Sequence, residues 1–219
     1  YMAISVGNAT KLKFDDYFVQ EGLAFRFTPF NYKTWGDAEG DNGYAIDTEK
    51  FYENVMNRYK YGGLDTPGLY LDETTTRICY SHRRLFAQLA KELVKQGDNA
   101  RAQKVLAYAE QAIPAYNVPQ VYESGSYEIA TAYASIGESG KAITLLNDLI
   151  AESRDYIDWA FSLGDSRIAM VQRDCLYKFW QWNQCNELLK DMDKERYKQS
   201  NQQFEEKYMR LAQLMNYQN

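Results

Sequence analysis

The sequence predicts a mainly all-α protein, a solenoid of helical hairpins that carries a small β-hairpin in an irregular N-terminal arm. Three observations predict this fold. Apolar residues recur at helical spacing on both sides of Gly97-Asp98. A second stretch of the same kind is centred on Gly137, about 40 residues later, which is longer than the usual tetratricopeptide period of about 34 residues. Pro114 closes the first stretch, because proline cannot continue the interior of a helix.

The first hairpin spans Arg84 to Pro114. It combines a large residue, a small residue where two helices cross, a Gly-Asp turn, two alanines and a closing proline, which is the pattern of a tetratricopeptide repeat. We expect its two apolar faces to consist of Phe86, Leu89, Ala90 and Leu93, and of Ala102, Val105, Leu106 and Ala109.

The second hairpin covers 126–153 and repeats this pattern. The pairs that correspond are Ile129 with Leu89, Ala130 with Ala90, Tyr133 with Leu93, Ala142 with Ala102, and Leu146 with Leu106. The usual period is about 34 residues, so the extra length is expected in the connection AYNVPQVYE, 115–123. Insertions in solenoids often lie on the binding face, which makes this connection a candidate for ligand contacts.

The N-terminal arm precedes the hairpins. Residues 1–20 are rich in turn signals, and 22–30 alternate with a period of two, which predicts a strand. After a loop over 31–44, GYAID is expected to return as a second strand and complete a hairpin. A helix capped by Asp47 or Thr48 then runs to about Tyr59, and a loop follows over 61–68. Asp72 should cap a helix that runs to Gln96, or that breaks near Ser81.

The last third of the chain predicts helices near 153–163, 166–182, 184–192 and 197–217. Their expected aromatic core comprises Trp159, Phe161, Phe179, Trp180 and Trp182. The final helix should cap the stack through Phe204, Tyr208, Leu211 and Leu214. These elements suggest an arm over 1–71, two helix pairs over 72–154 and capping helices over 155–219.

Composition excludes some functions. A net charge of -5 disfavours nucleic acid as a partner, because phosphate binding needs a basic face. The 19 tyrosines suit half-wet surfaces that contact ligands, or helix–helix contacts. No run of 18 apolar residues and no signal peptide is present. The chain begins without methionine, which suggests a fragment whose missing part could hold a membrane anchor or a catalytic domain.

Few residues could carry chemistry. The three cysteines, Cys79, Cys175 and Cys185, have no metal spacing and are expected to be buried thiols, with a Cys175–Cys185 bridge as the alternative. We therefore predict no metal site, and the absence of a glycine-rich phosphate loop predicts no cofactor. His82 is the sole histidine, so a hydrolase would have to combine it with its neighbours Ser81 or Cys79.

One polar cluster is a candidate binding site. Arg77, Tyr80 and Arg84 share a face of the predicted helix, at spacings of three and four residues. Arginine with tyrosine suits a polar or anionic ligand. The alternative is that these arginines form salt bridges with Asp15, Asp16 or Glu21 in the N-terminal arm.

Three segments together resemble a known family: KLKFDDYFVQEGLAFRFTPF, YKYGGLDTPGLYLDETTTR, and HRRLFAQLAKEL with IPAYNVP. They are similar to the C-terminal region of bacterial multi-pass membrane proteins of the protein O-mannosyltransferase-like glycosyltransferase family, formerly classed as a domain of unknown function. The resemblance implies a soluble tetratricopeptide-like region on the periplasmic face of the inner membrane. It also implies that the catalytic residues lie in the membrane portion, so no catalytic residue is expected here.

These observations suggest a non-catalytic module that presents an acceptor protein or glycan to its own membrane domain. The expected ligand contacts are Tyr116, Asn117 and Tyr122 of the inserted connection, together with the arginine–tyrosine face. Aromatic rings can stack on sugars, and asparagine both donates and accepts hydrogen bonds. A protein–protein scaffold without a glycan role is the main alternative. A third reading is an envelope hydrolase that uses Asp72, Glu73 and His82.

Overall fold

A computed structural model describes residues 1–6, 14–31, 45–165 and 167–216, and the fold is mainly helical, as predicted. The chain forms two compact units, 1–118 and 119–219. This division falls within the connection between the two predicted hairpins, and the expected boundaries after residues 71 and 154 stay a prediction. In the described part of the chain, no helix is both long and apolar enough to cross a membrane.

The first unit combines a small sheet with helices. Its elements in chain order are β1 (Met2–Ala3), β2 (Phe18–Gln20), β3 (Ala24–Phe27), β4 (Ala45–Ile46), α1 (Thr48–Glu53), a π-helical turn (Asn54–Arg58), α2 (Glu73–Lys95) and α3 (Asn99–Ala112). The predicted strand over 22–30 is confirmed as β3, and the predicted GYAID strand is β4.

The predicted hairpin between these two strands is wrong. The strand order is β1-β3-β2-β4, with β3 antiparallel to β1 and β2, and β4 parallel to β2. The hairpin partner of β3 is therefore β2, which lies in the stretch that we read as turns. Gly22 allows the tight connection between them: its φ is +113°, and a Cβ there would lie 2.5 Å from the hydroxyl of Tyr59.

Both helices of the first predicted hairpin form. The side chain of Asp72 caps α2 by accepting from the amide of Thr75, and Asp98 caps α3 in the same way through Arg101. The helix α2 continues past Ser81 without a break. All eight predicted apolar positions of this hairpin are buried where α2 packs against α3.

The second unit contains four helices that pack sequentially, each against the next: α4 (Ser126–Ser135), α5 (Ser139–Ser162), α6 (Gln172–Met192) and α7 (Lys194–Asn216). Short 3-10 turns at Tyr122–Ser124 and Ile168–Met170 precede α4 and α6. The predicted second hairpin is confirmed as α4 and α5, which Gly137 joins with a φ of +85°.

Two predicted helix breaks are wrong. The segment 153–163 belongs to α5, because its buried face continues through Leu149, Ser153, Ile157 and Ala160 without interruption. Likewise, α6 is one helix where two were expected. Cys175 and Cys185 are ten residues apart on it, which separates them by roughly 15 Å along the axis. A disulfide needs Cα atoms closer than about 7 Å, so the alternative of a bridge is wrong; all three thiols are buried and free.

The predicted aromatic core of this unit is partly correct. Phe161, Phe179 and Trp182 are buried, whereas Trp159 and Trp180 are about half exposed. The predicted last helix contributes Phe204, whose ring lies 5.4 Å from that of Phe179 and 5.7 Å from that of Trp182. The half-exposed indole rings of Trp159 and Trp180 are therefore available for ligand contacts.

An ion-pair network anchors the sheet of the first unit to α1. The buried carboxylate of Glu21 accepts hydrogen bonds from Nε of Arg26 and, at 3.2 Å, from Nζ of Lys50. Burial by itself would raise the pKa of Glu21, but the hydrogen bonds and charges of Arg26 and Lys50 outweigh it and hold the pKa below its ordinary value.

This network predicts an acid-dependent stability. A carboxyl with a lowered pKa stabilises the fold above its ordinary pKa of about 4.5, and this stabilisation is lost as the pH falls through the lower folded value. We expect Glu21→Gln to cost about 2 kcal/mol at pH 7 and to flatten the decline in stability below pH 4.5. Hydrogen exchange of the first unit from pH 7 to pH 3 measures this effect. Glu110→Gln, at an exposed position of α3, is the control, and equal pH profiles for Glu21→Gln and the unmodified chain would contradict the prediction.

Candidate functional site

The second unit carries a continuous row of four aromatic rings, which we name the aromatic ladder: Tyr127, Tyr122, Trp180 and Tyr177. The rings of Tyr122 and Tyr127 stack with their centroids 5.1 Å apart. Tyr122 meets Trp180 edge to face at 5.3 Å, and Trp180 stacks on Tyr177 at 5.6 Å. The last two side chains are each 47% exposed, so the ladder runs from the half-buried surface of α4 to the open surface of α6.

Local structure places these rings together. Tyr122 begins the 3-10 turn before α4, and the φ of +85° at Gly125 lets the chain pass directly from that turn into the helix that carries Tyr127. Tyr177 and Trp180 are three residues apart on α6, which places them on one face of the helix. The ladder thus joins two helices that are separated in sequence by the whole of α5.

Polar groups border the ladder. The side chain of Gln181 donates to Glu123 at 2.6 Å, and its other amide atom, Oε1, is buried without a hydrogen-bond partner among the described residues. Lys178 donates to both carboxylate oxygens of Glu152 at 2.9 Å and lies 3.7 Å from Glu123. Of these three side chains, Glu123 is the exposed one, whereas Gln181 is fully buried and Lys178 is largely buried.

The two half-buried tyrosines of the ladder, Tyr122 and Tyr127, remain neutral phenols at physiological pH. Burial raises the pKa of Tyr122 and Tyr127, and negative charge from Glu128 acts in the same direction. A neutral phenol both donates and accepts hydrogen bonds, so these hydroxyls can bond either a donor or an acceptor group of a polar ligand.

Of the predicted ligand contacts in the inserted connection, Tyr122 lies in this ladder and the other two do not. The hydroxyl of Tyr116 donates to the carbonyl of Asp65 at 2.7 Å. The amide of Asn117 donates to the carbonyls of Leu64 and Thr66 at 2.7 and 2.6 Å. Both side chains therefore hold the loop before α2 against the end of the first unit, and their role in ligand binding stays a prediction, with Tyr116 62% exposed.

The predicted face of Arg77, Tyr80 and Arg84 is only partly available. Arg77 forms a salt bridge of 2.6 Å with Glu73 of its own helix, and Arg84 donates to the hydroxyl of Ser81 at 3.2 Å. Tyr80 is half-buried, and its hydroxyl acts electrostatically on the neighbouring Arg83. Of the alternative salt bridges to the N-terminal arm, the carboxylate of Glu21 pairs with Arg26 and Lys50 instead, and those to Asp15 or Asp16 stay predictions.

Sequence reasoning overlooked Arg83. This residue is 3% exposed, and its guanidinium donates to the carbonyls of Val118 at 2.8 Å and Ile113 at 3.3 Å. Its neighbours Arg77 and Arg84 on α2 are exposed, so its place in the sequence did not indicate burial. The apolar stripe of α2 was the available signal, since Arg83 lies four residues after Cys79 and three before Phe86 on the buried side.

A second concave feature lies in the first unit, between the sheet and α2. This sheet–helix cleft has a volume of about 640 Å³, within the usual range for ligand sites of about 300–1,000 Å³. The residues that line it are Ala3, Ile4, Ser5, Gln20, Leu23, Phe25, Ile78, Ser81, His82, Arg84, Leu85 and Gln88. Six of these residues are apolar and six are polar.

The groups of the hydrolase reading serve other purposes. His82 contacts the ring edges of Tyr59 and Tyr61, and burial lowers its pKa, while Ser81 donates to the carbonyl of Arg77. Asp72 caps α2, and Glu73 pairs with Arg77. Within the described ranges, no group of three His, Cys, Asp or Glu side chains could hold a metal ion.

Comparison with known proteins gives no match: no family model, no curated protein and no solved structure is significantly similar to the chain.

Proposed function

We propose that this chain is a non-catalytic binding module that holds an acceptor glycan, or an acceptor protein that carries one, for a membrane-embedded glycosyltransferase-like protein. In this proposal its helical hairpins form a tetratricopeptide-like scaffold on the periplasmic face of the inner membrane. The catalytic groups belong to the membrane portion of the same protein. The resemblance of the sequence motifs supports the setting, and the aromatic ladder supports the binding role.

The aromatic ladder is the observation that carries the proposal. Trp180 and Tyr177, each about half exposed, stack on each other on α6 and together offer a continuous aromatic surface. The apolar face of a sugar ring stacks on such a platform. The carboxylate of Glu123, whose side chain is 43% exposed, follows Tyr122 directly in the chain and can accept hydrogen bonds from the hydroxyl groups at the rim of a sugar.

The test compares two exposed tryptophans of the same unit. Trp180→Ala removes the centre of the ladder, whereas Trp159→Ala removes a side chain of equal exposure that lies elsewhere, tilted by 55° against the ring of Tyr156. We would screen the unmodified chain on a printed glycan array and measure the strongest glycan by calorimetry. We expect Trp180→Ala to weaken binding at least about tenfold, which corresponds to 1.4 kcal/mol, and Trp159→Ala to change it less than about twofold.

The main alternative is a protein–protein scaffold with no glycan role. Three results together would favour it. No glycan on the array binds, the chain captures an envelope protein, and this capture requires Trp180 but is unaffected by added sugars. Equal glycan binding by both variants would contradict the assignment of the ladder as the site. Absence of both glycan and protein binding would contradict the binding module itself.

A further inference from the structure

Two exposed carboxylates accompany the half-buried end of the aromatic ladder. Glu123 follows Tyr122 directly in the chain, and Glu128 follows Tyr127. Burial is the main cause of the raised pKa of both tyrosines, and the negative charge of Glu128 adds to it, so this carboxylate acts electrostatically on both rings. The half-buried end of the ladder therefore lies in a field that favours positive charge.

A third carboxylate belongs to the helix that carries the two exposed rings. Glu187 is exposed and lies seven residues after Trp180 on α6. Seven residues correspond to about two helical turns, so both side chains lie on one face of the helix. Negative charge thus accompanies the exposed end of the ladder as well.

Basic groups near the ladder do not balance these carboxylates. The side chain of Lys178 is largely buried, and its Nζ donates to both carboxylate oxygens of Glu152 at 2.9 Å and lies 3.7 Å from Glu123. Arg173 is exposed and lies one turn before Tyr177 on α6. The carboxylates named here outnumber these two basic groups, so the surface around the ladder is negative.

The rings of the ladder attract the same sign of charge. The face of an aromatic ring is negative, and a cation within about 6 Å of the ring centroid is attracted to it, most strongly by tryptophan. Trp180 and Tyr177 are each 47% exposed, so part of each ring is open to a ligand. A neutral sugar would use the rings alone, whereas a sugar with an ammonium group would use the rings and the carboxylates together.

We propose that the aromatic ladder binds a glycan that carries protonated amines, as an amino sugar without its N-acetyl group does. The sugar ring stacks on Trp180 and Tyr177, and its ammonium group pairs with the flanking carboxylates. The same carboxylates repel uronates and other acidic sugars. This inference rests on the proposed function, because it names the class of glycan that the same site takes.

The experiment compares two ligands that differ only at nitrogen: chitotetraose, whose amines are acetylated, and its fully deacetylated form. Each is titrated into the whole chain by calorimetry at about pH 6, where the amines are protonated and the glutamates are ionised. We expect the deacetylated form to bind at least about tenfold more tightly. This preference should shrink in about 1 M salt, where charges are screened beyond about 3 Å.

Charge variants identify the groups that produce the preference. Glu128→Gln combined with Glu187→Gln removes two exposed negative charges with little change in shape, and should reduce the preference at least about threefold. Glu206→Gln, at an exposed position of α7, is the matched control and should leave the preference within about twofold of that of the unmodified chain. Trp180→Ala should weaken both ligands, because both stack on its ring.

The outcomes separate this inference from the proposed function. Equal or tighter binding of chitotetraose, lost in Trp180→Ala, would overturn the inference and leave the glycan site in place. The same holds if neither ligand binds while another glycan from the array binds through Trp180. Equal affinity for tetralysine would also overturn the inference, because charge alone would then be recognised. If no glycan bound at all, the proposed function would fail, and this inference with it.

Discussion

Replacement of Trp182 with alanine is expected to destabilise the second unit by about 3–5 kcal/mol. Its indole is fully buried, parallel to the ring of Phe179 and in edge contact with Phe204. Its Nε1 donates to the hydroxyl of Ser200 at 2.7 Å, and that hydroxyl donates to Asn186 at 2.6 Å. The substitution therefore leaves a cavity between α6 and α7 and removes one bond from a buried polar chain.

Trp180→Ala is the matched control, since Trp180 lies two residues away on the same helix and is about half exposed. The thiol of Cys185 is buried in that helix and serves as a built-in probe of opening. Under conditions where the native state recloses faster than it is labelled, we expect Trp182→Ala to speed the labelling of Cys185 at least about 100-fold. The control should change the rate less than about fivefold. Similar rates in the two variants would show that the buried indole does not hold α6 to α7.

Arg83→Ala is expected to destabilise the first unit by about 3 kcal/mol, because it removes two hydrogen bonds from a buried charged donor. Burial lowers the pKa of the guanidinium to about 10, so it remains protonated at neutral pH. Its two carbonyl acceptors, on Ile113 and Val118, flank the segment that carries Tyr116 and Asn117. Loss of Arg83 should therefore increase the mobility of this segment and of the loop before α2, to which Tyr116 and Asn117 are hydrogen-bonded.

The neighbouring Arg84 offers the control, because its side chain is exposed. Labelling of Cys79, the sole cysteine of the first unit, reports the opening of α2. We expect Arg83→Ala to accelerate the labelling about 100-fold and Arg84→Ala to leave it nearly unchanged. If Arg84→Ala had the larger effect, the assignment of the buried arginine as the structural one would be wrong.

The helical hairpins could be predicted because their signals are local. The spacing of Leu89 and Leu93, the cap at Asp98 and the turn at Gly97 all act within a few residues of one another. The same local reasoning failed for the sheet. The strand partner of β3 was misidentified because the pairing of β2 with both β3 and β4 depends on long-range contacts, which alternation along one segment does not encode.

The candidate site shows the same limit. The inserted connection drew attention to Tyr116, Asn117 and Tyr122 alike, since all three are ligand-type residues in one loop. Whether such a side chain meets a ligand or its own fold depends on its neighbours. Tyr116 and Asn117 donate to carbonyls of the loop before α2, whereas Tyr122 contacts the ring of Trp180.

By itself, the sequence determined the helical class, the two hairpins, their caps and their buried faces, because helix formation and amphipathic burial depend on residues three and four positions apart. Only the tertiary structure decided which aromatics assemble into a ladder, which arginine is buried, and how the edge of the sheet and α2 enclose a cleft. These features join residues that are tens of positions apart in the chain. The packing that brings them together is a property of the whole unit, and not of any local pattern.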